Sequence, residues 1–189
     1  NSICSHTSHT LIKLSHYINS PRLRLLGLRV GLGNTPEYAI FHANVTNPNT
    51  ERLKHMSPLH IAVLHSYTDI AKLILAAGAN TETQTHDDGK LTPLHVAAIR
   101  KNPEMINMLL NAGANKEQRD GSGKTALLLA VLSGNPDTVE TLIKAGADKF
   151  VEDNHGTGIY EHLLHTVNPL AKDKILKLLL PKKSTDSDK

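Results

Sequence analysis

The sequence predicts an all-α solenoid of helix-turn-helix units joined by short inter-repeat turns. Three observations predict it: one residue pattern occurs three times, apolar residues recur at helical spacing in each copy, and aromatic residues make up only 3% of the 189 residues. With so few aromatic side chains, the core must be built from Leu, Ile, Val and Ala. That composition disfavours an aromatic-rich β-sandwich and an aromatic platform for nucleic acid.

The repeated pattern opens at Ser57, Thr92 and Thr125 with the residues S-P-L-H, T-P-L-H and T-A-L-L. In each copy a glycine follows 21 positions after the opening residue. The copies lie 35 and 33 residues apart, so the first connection holds two extra residues. One unit cannot bury its apolar stripe alone, and the copies are therefore predicted to stack on one another.

The second copy explains why each unit should form two helices. Thr92 is a good N-cap and Pro93 suits the first helical position, which predicts a first helix over 93–100. Pro103 opens a second helix, and Gly113 is predicted to end it in a left-handed cap. The second helix carries an apolar stripe at three- and four-residue spacing, formed by Met105, Ile106, Leu109 and Leu110.

A weaker fourth unit follows, with predicted helices over 159–165 and 170–180. Lys172, Lys174 and Lys177 predict the polar outer face that a terminal repeat needs. Phe150 and Val151, in the preceding turn, are predicted to pack against this cap.

The domain organisation follows from these units. We predict repeats over about 55–87, 88–120 and 121–153, a C-terminal capping repeat over 154–180 and a polar tail over 181–189. Residues 35–54 are predicted to form a degenerate or truncated N-terminal repeat. Residues 1–34 contain no acidic side chain and are predicted to be a basic, flexible extension.

The units resemble ankyrin repeats, whose 33-residue period and T-P-L-H-x-A signature occur here. The resemblance covers about residues 53–180, although the third unit has Ala126 and Leu128 where the pattern has Pro and His. It implies an ankyrin-repeat solenoid that binds another protein as a scaffold, adaptor or inhibitor. It also implies that the protein is not an enzyme, needs no cofactor or metal, and is monomeric apart from its partner.

The resemblance further implies where a partner binds. We call this the concave surface, formed by the C-terminal ends of the first helices and the tips of the inter-repeat turns. Leu64, Ile99 and Leu132 stand at equivalent places and predict a shallow apolar strip. The full set of predicted partner-binding residues is Leu64, His65, Ile99, Arg100, Leu132 and Ser133 on the helix ends, and His86, Asp88, Lys90, Arg119, Ser122 and Lys124 on the turns.

The twelve histidines invite a metal interpretation, which spacing does not favour. His60 and His95 occupy the signature position, where the resemblance implies that the ring joins turn and helix by hydrogen bonds. Two other close pairs lack a third ligand nearby and are predicted to be solvated: His6 with His9, and His162 with His165.

Residues 121–125, G-S-G-K-T, resemble the end of a phosphate-binding loop. The full pattern needs glycine where this chain has Gln118, so an inter-repeat turn with Thr125 capping the next helix is favoured. A nucleotide- or nucleic-acid-binding protein, using Lys124 or the arginines near Arg24, stays as the alternative. A further alternative is a fragment of a larger effector or toxin, suggested by the missing initial Met and the short first unit.

Charge and cysteine content limit other classes. The net charge of +3 is uneven: residues 1–54 hold six Lys/Arg and two Asp/Glu, and residues 55–189 hold fifteen and sixteen. A nucleic-acid footprint over the whole domain is therefore not expected. The one cysteine, Cys4, excludes an internal disulfide, and no apolar run approaches the roughly 18 residues of a membrane span. We expect a cytoplasmic or nuclear protein; a glycosylation sequon at Asn44 matters only if the protein is secreted.

Catalysis finds no support in residue spacing. The loop carboxylates of Asp87, Asp88, Glu152 and Asp153 are expected to face solvent rather than to pair with each other.

Overall fold

The computed structural model describes residues 56–164 and 169–180. This part of the chain forms helices in consecutive pairs and no strand, with one isolated antiparallel bridge between Glu152 and Gly158. The helices are α1 Pro58–Leu64, α2 Thr68–Ala76, α3 Pro93–Ile99, α4 Pro103–Asn111, α5 Ala126–Ser133, α6 Pro136–Lys144, α7 Ile159–Leu164 and α8 Pro169–Leu179. The predicted all-α architecture of paired helices is confirmed for these residues.

The helices stack in chain order. The first helices pack as α1 on α3, α3 on α5 and α5 on α7, while the second helices pack as α4 on α6 and α6 on α8. Leu59, Leu94 and Leu127, which hold the same place in successive units, are all buried in one continuous core. Each unit therefore covers the apolar side of its neighbour, as the repeat pattern predicts.

Short polar residues begin the first helices. The hydroxyl groups of Ser57 and Thr125 accept the backbone N–H groups of His60 and Leu128, three residues on. These bonds satisfy donors that a helix start leaves unpaired. Thr92 belongs to a capping box with His95, and Pro93 follows it at the first helical position. The predicted caps are confirmed.

The signature histidines are structural, as the resemblance implies. His60 Nδ1 accepts the Ser57 N–H at 3.2 Å, and its Nε2 donates to the Leu91 carbonyl at 2.8 Å. His95 accepts the Thr92 N–H at 3.0 Å and donates to the Gln118 carbonyl at 3.0 Å. A backbone N–H only donates and a carbonyl only accepts, so both rings are held neutral with the proton on Nε2. Burial lowers the pKa of both rings, which also favours their neutral form.

Left-handed residues end the helices at regular places. Gly78, Gly113 and Gly146 follow the second helices with φ of +84°, +92° and +78°, which confirms the predicted cap. The short turns inside the units also pass through this region, at Ser66, Lys101 and Gly134. Only the third of these turns uses glycine. Ser66 and Lys101 therefore hold a left-handed backbone conformation that residues with a side chain rarely adopt.

The C-terminal unit differs from its prediction in one respect. Its helices lie at the predicted places, and Lys174 and Lys177 are exposed. Yet the exposed surface of this unit is not simply polar, because it also includes large apolar side chains: Tyr160, Leu164, Leu170, Leu176 and Leu180.

Phe150 does not pack against the cap, because its side chain is 80% exposed. It stands one period after Glu117, whose carboxylate reaches along the surface to the Asp148 N–H at 3.0 Å. A side chain at this position runs over the outside of the stack rather than into the core, so the packing prediction was wrong for Phe150, whereas Val151 is half-buried.

Several predictions lie outside the described residues. They concern the N-terminal extension and truncated repeat, Cys4, the His6/His9 pair, Arg24, the sequon at Asn44, His165 and the polar tail.

Candidate functional site: the concave surface

An apolar row runs along the ends of the first helices. Ile99 and Leu132, which end α3 and nearly end α5, are 42% and 40% exposed, whereas Leu64 at the end of α1 is half-buried. Helix positions a few residues earlier, such as Leu94 and Leu127, are fully buried. Ile99 and Leu132 therefore offer apolar surface at a regular spacing outside the core.

Basic side chains flank this row. His65 and Arg100 are exposed at the ends of α1 and α3, and Lys101, which the sequence analysis did not single out, is exposed beside Arg100. Among the described residues, no carboxylate lies within ion-pair distance of Arg100 or Lys101. His65 stacks on Tyr67 with ring centroids 5.5 Å apart, which orients its ring.

Ser133 occupies the place of Arg100 in the next unit but works inside the fold. Its hydroxyl lies 2.8 Å from the Ala130 carbonyl and 3.3 Å from the Ala98 carbonyl, and it can donate to either. The residue is half-buried and links the end of α5 to the end of α3.

The first two turn tips present polar side chains. His86, Asp88 and Lys90 are exposed on the first tip, and Ser122 is exposed on the second. Arg119 is exposed too, but its Nη1 donates to the Gly123 carbonyl at 3.2 Å and to the Glu152 carbonyl at 2.8 Å. Its guanidinium therefore fastens the second turn to the third while part of it faces solvent.

Lys124 lies largely inside the stack. Its side chain is only 18% exposed, and its ammonium lies 3.4 Å from Oδ2 of Asp153. The same carboxylate oxygen lies 2.9 Å from His162 Nε2. The expectation that Asp153 and His162 face solvent was wrong, because the two side chains pair with each other between the third turn and α7.

The other oxygen of Asp153 closes the third turn. Oδ1 accepts the backbone N–H groups of His155 and Thr157 at 2.9 and 3.1 Å. Burial raises the pKa of this carboxyl, but the bonds from these amides, from His162 and from Lys124 together hold the pKa well below its usual value.

A signal for this turn was present in the sequence. Asp87, Asp120 and Asp153 are spaced by 33 residues. Asp120 Oδ1 accepts the N–H groups of Ser122 and Lys124, both at 2.8 Å, just as Asp153 accepts those of the residues one period later. The repeated carboxylate closes the second and third turns from within, whereas Asp87 in the first turn accepts the Thr85 hydroxyl instead.

The G-S-G-K-T stretch is an inter-repeat turn, as predicted. Gly121 donates its N–H to the Gly89 carbonyl at 2.8 Å, Gly123 donates to the Asp120 carbonyl at 3.0 Å, and the amides between and after them bind the Asp120 side chain. A phosphate loop must aim such amides at its ligand. In this turn the backbone amides already donate to protein acceptors, and the Lys124 ammonium is held by Asp153. The geometry therefore does not favour nucleotide binding.

Within 56–164 and 169–180, no three His, Cys, Asp or Glu side chains gather closely enough to hold a metal ion. Over the same residues, no helix has the length and apolar character needed to cross a membrane.

Comparison with protein families gives two matches. A family model described as ankyrin repeats (3 copies) matches residues 81–153, and one described as ankyrin repeat matches residues 54–86. Together they cover residues 54–153, more than half of the chain. No curated protein matches the chain.

Proposed function

Because this chain belongs to the ankyrin repeat family, whose members are generally protein-protein interaction modules, we propose that it is a non-enzymatic module whose concave surface binds a partner protein. The observation that carries the proposal is the exposed apolar row of Ile99 and Leu132 beside the exposed charges of Arg100 and Lys101. Protein interfaces combine an apolar centre with a polar rim and favour arginine.

Binding on this surface requires little ordering of the protein. The first and second turn tips are joined by the hydrogen bond from Gly121 to Gly89, and the second and third by the bond from the Asn154 N–H to the Ser122 carbonyl at 3.0 Å. The helix ends sit on a continuous core. A face that is already fixed loses little conformational entropy when a partner docks, which favours affinity.

A scaffold, adaptor or inhibitor acts by binding its partner protein, and this surface is suited to such binding. Exposed apolar side chains supply contact area, while Arg100 and Lys101 attract carboxylates or carbonyl groups on the partner. The large side chains at the centre are expected to carry most of the binding energy.

The test is comparative affinity capture with the full chain as bait. The wild type is compared with the Ile99→Glu/Leu132→Glu variant and with Lys72→Glu/Asn107→Glu, a control that places two glutamates on exposed second-helix positions. We expect the wild type and the control to capture the same proteins in the same amounts. The Ile99→Glu/Leu132→Glu variant should capture at least about 10-fold less of them, because desolvating a charge at an interface costs about 1.4 kcal/mol or more. Thermal unfolding of all three should be similar, because every substituted side chain is exposed.

Equal capture by all three proteins would exclude the concave surface as the binding site. Salt dependence distinguishes partner-protein binding from the nucleic-acid alternative. Binding to phosphates weakens steeply as the salt concentration rises, whereas binding to an apolar strip does not.

A further inference from the structure

The sequence contains two Asp-Gly pairs, and the stack places them side by side on neighbouring turn tips. Asp88-Gly89 lies on the first tip and Asp120-Gly121 on the second, where the Gly121 N–H donates to the Gly89 carbonyl at 2.8 Å. Such pairs are reactive, because glycine has no Cβ to obstruct attack by its backbone nitrogen on the preceding carboxyl group. The two pairs share one covalent chemistry, so a difference in their reactivity must come from the fold.

The reacting groups of the Asp120-Gly121 pair are all hydrogen-bonded. Oδ1 of Asp120 accepts the N–H groups of Ser122 and Lys124, both at 2.8 Å. The Asp120 carbonyl accepts the Gly123 N–H at 3.0 Å, and the Gly121 N–H donates across to the first tip. The carboxyl group of Asp120 therefore cannot turn towards the Gly121 nitrogen unless several hydrogen bonds open together.

The Asp88-Gly89 pair is open by comparison. Asp88 is exposed, and in the part of the chain that the structure describes, neither its carboxylate, its carbonyl nor the Gly89 N–H makes a hydrogen bond. The bond that closes this tip lies outside the pair, since the Lys90 N–H donates to the Asp87 carbonyl at 3.2 Å. The Asp88 carboxyl group can thus approach the Gly89 nitrogen without breaking a hydrogen bond.

We propose that Asp88-Gly89 is a site of spontaneous covalent modification, at which Asp88 converts to isoaspartate in the folded protein while Asp120 is protected. The Gly89 nitrogen bonds to Cγ of Asp88, and one carboxyl oxygen leaves as water with the acid proton and the amide proton. Water then adds to the main-chain carbonyl of the resulting cyclic imide and breaks its bond to nitrogen. The chain now continues through the former side-chain carbonyl. Water is lost and regained, and nothing is oxidised or reduced.

The modification alters the contact between the first two turn tips. A Cβ on Gly121 would overlap the Asp88 carbonyl oxygen, so the two backbones touch. In isoaspartate the main chain gains a methylene group before Gly89, and the former Asp88 carbonyl becomes a charged carboxylate against the Gly121 backbone. The longer chain displaces the Gly89 carbonyl from the Gly121 N–H, and the bond between the tips is lost. This outcome depends on local geometry and not on what the concave surface binds.

Ageing of the full chain in neutral buffer, with and without urea, tests the proposal. Isoaspartate at each pair is quantified in digests by mass spectrometry with electron-based fragmentation, which distinguishes it from aspartate. In the folded protein we expect isoaspartate to form at least about 10-fold faster at 88 than at 120, since the second pair reacts only after a local opening that breaks several hydrogen bonds. In urea, where the fold protects neither pair, the two rates should become similar.

Three outcomes would overturn the proposal. They are the absence of isoaspartate at 88, a rate at 120 that equals or exceeds the rate at 88 in the folded chain, and a difference between the pairs that persists in urea. The last outcome would assign the difference to the neighbouring sequence rather than to the fold.

A second measurement tests the structural consequence. Asp88→Glu is the matched control, because glutamate keeps the charge but would have to close a larger and less favourable ring. Hydrogen exchange of the Gly121 amide should become faster as the wild type ages, in proportion to the isoaspartate formed, and should stay unchanged in the aged variant. Unchanged exchange at Gly121 in the modified wild type, or equal acceleration in the variant, would contradict the link between the modification and the tip contact.

Discussion

Replacing Gly121 by alanine should destabilise the stack strongly, because two turn tips meet there. A Cβ at this position would overlap the carbonyl oxygen of Asp88 and lie 3.0 Å from its carbonyl carbon. Both are backbone atoms, so no side-chain rotation relieves the overlap and the tips must separate. Separation also breaks the 2.8 Å bond from the Gly121 N–H to the Gly89 carbonyl.

The magnitude follows from these two losses. Overpacking that shifts the backbone costs about 1–3 kcal/mol, and a lost hydrogen bond adds about 0.5–1.5 kcal/mol. We therefore expect Gly121→Ala to lower the free energy of unfolding by about 2–4 kcal/mol. Gly113→Ala is the matched control, because its Cβ would meet nothing within 4 Å and its φ of +92° is the only obstacle. Left-handed strain predicts a smaller loss of about 1–2 kcal/mol there.

Urea unfolding followed by circular dichroism measures both variants against the wild type. The account requires Gly121→Ala to be the less stable of the two, with faster exchange of the backbone amide at position 121, which loses its bond to the Gly89 carbonyl. If Gly121→Ala is as stable as Gly113→Ala, the turn tips do not touch in solution and the reasoning fails.

Three further predictions concern single residues. Burial lowers the pKa of His60 and His95 from the ordinary 6.5, so the unfolded chain binds more protons than the folded chain in acid. The free energy of unfolding should therefore fall as the pH drops below that value, and an unchanged urea midpoint between neutral and mildly acidic pH would refute the neutral rings. Lys101→Gly should stabilise the protein by about 0.5–1 kcal/mol, because glycine accepts the left-handed conformation, and a lower melting temperature would contradict that assignment. Leu127→Ala should cost about 2–5 kcal/mol in chemical denaturation, since the side chain is fully buried; a loss below 1 kcal/mol or so would place it outside the core.

The fold could be predicted because its signals are local and repeated. Proline after a capping residue, glycine 21 positions after the opening residue and an apolar stripe between them each specify one step of a unit. Repetition then specifies stacking, because no copy can cover its own stripe. The bounds of α3 and α4 follow directly from Thr92, Pro103 and Gly113.

The role of Asp153 was harder to predict. Local composition placed it in a polar loop, and only the three-dimensional approach of Lys124 and His162 shows that its side chain is buried. The spacing of Asp87, Asp120 and Asp153 was the usable signal, but spacing does not reveal which atoms an aspartate bonds.

The exposed apolar side chains of the C-terminal unit were missed for a different reason. Helical periodicity identifies apolar positions, but it does not tell whether another unit covers them. The lysines at 172, 174 and 177 suggested a polar end, whereas Leu164 and Leu176 are exposed among them. For the concave surface, the sequence identified Ile99 and Leu132 by equivalence, but it did not reveal that Lys124 and Ser133 bind within the fold.

Hydrogen-deuterium exchange on the full chain, alone and with a captured partner, tests the central claim most directly. A partner docked on the concave surface predicts slower exchange at residues 99–101 and 132–134 and at the turn tips 86–90 and 118–122, with α4 and α6 unchanged. Slower exchange confined to the second helices, with none at the ends of α3 and α5, would contradict the account.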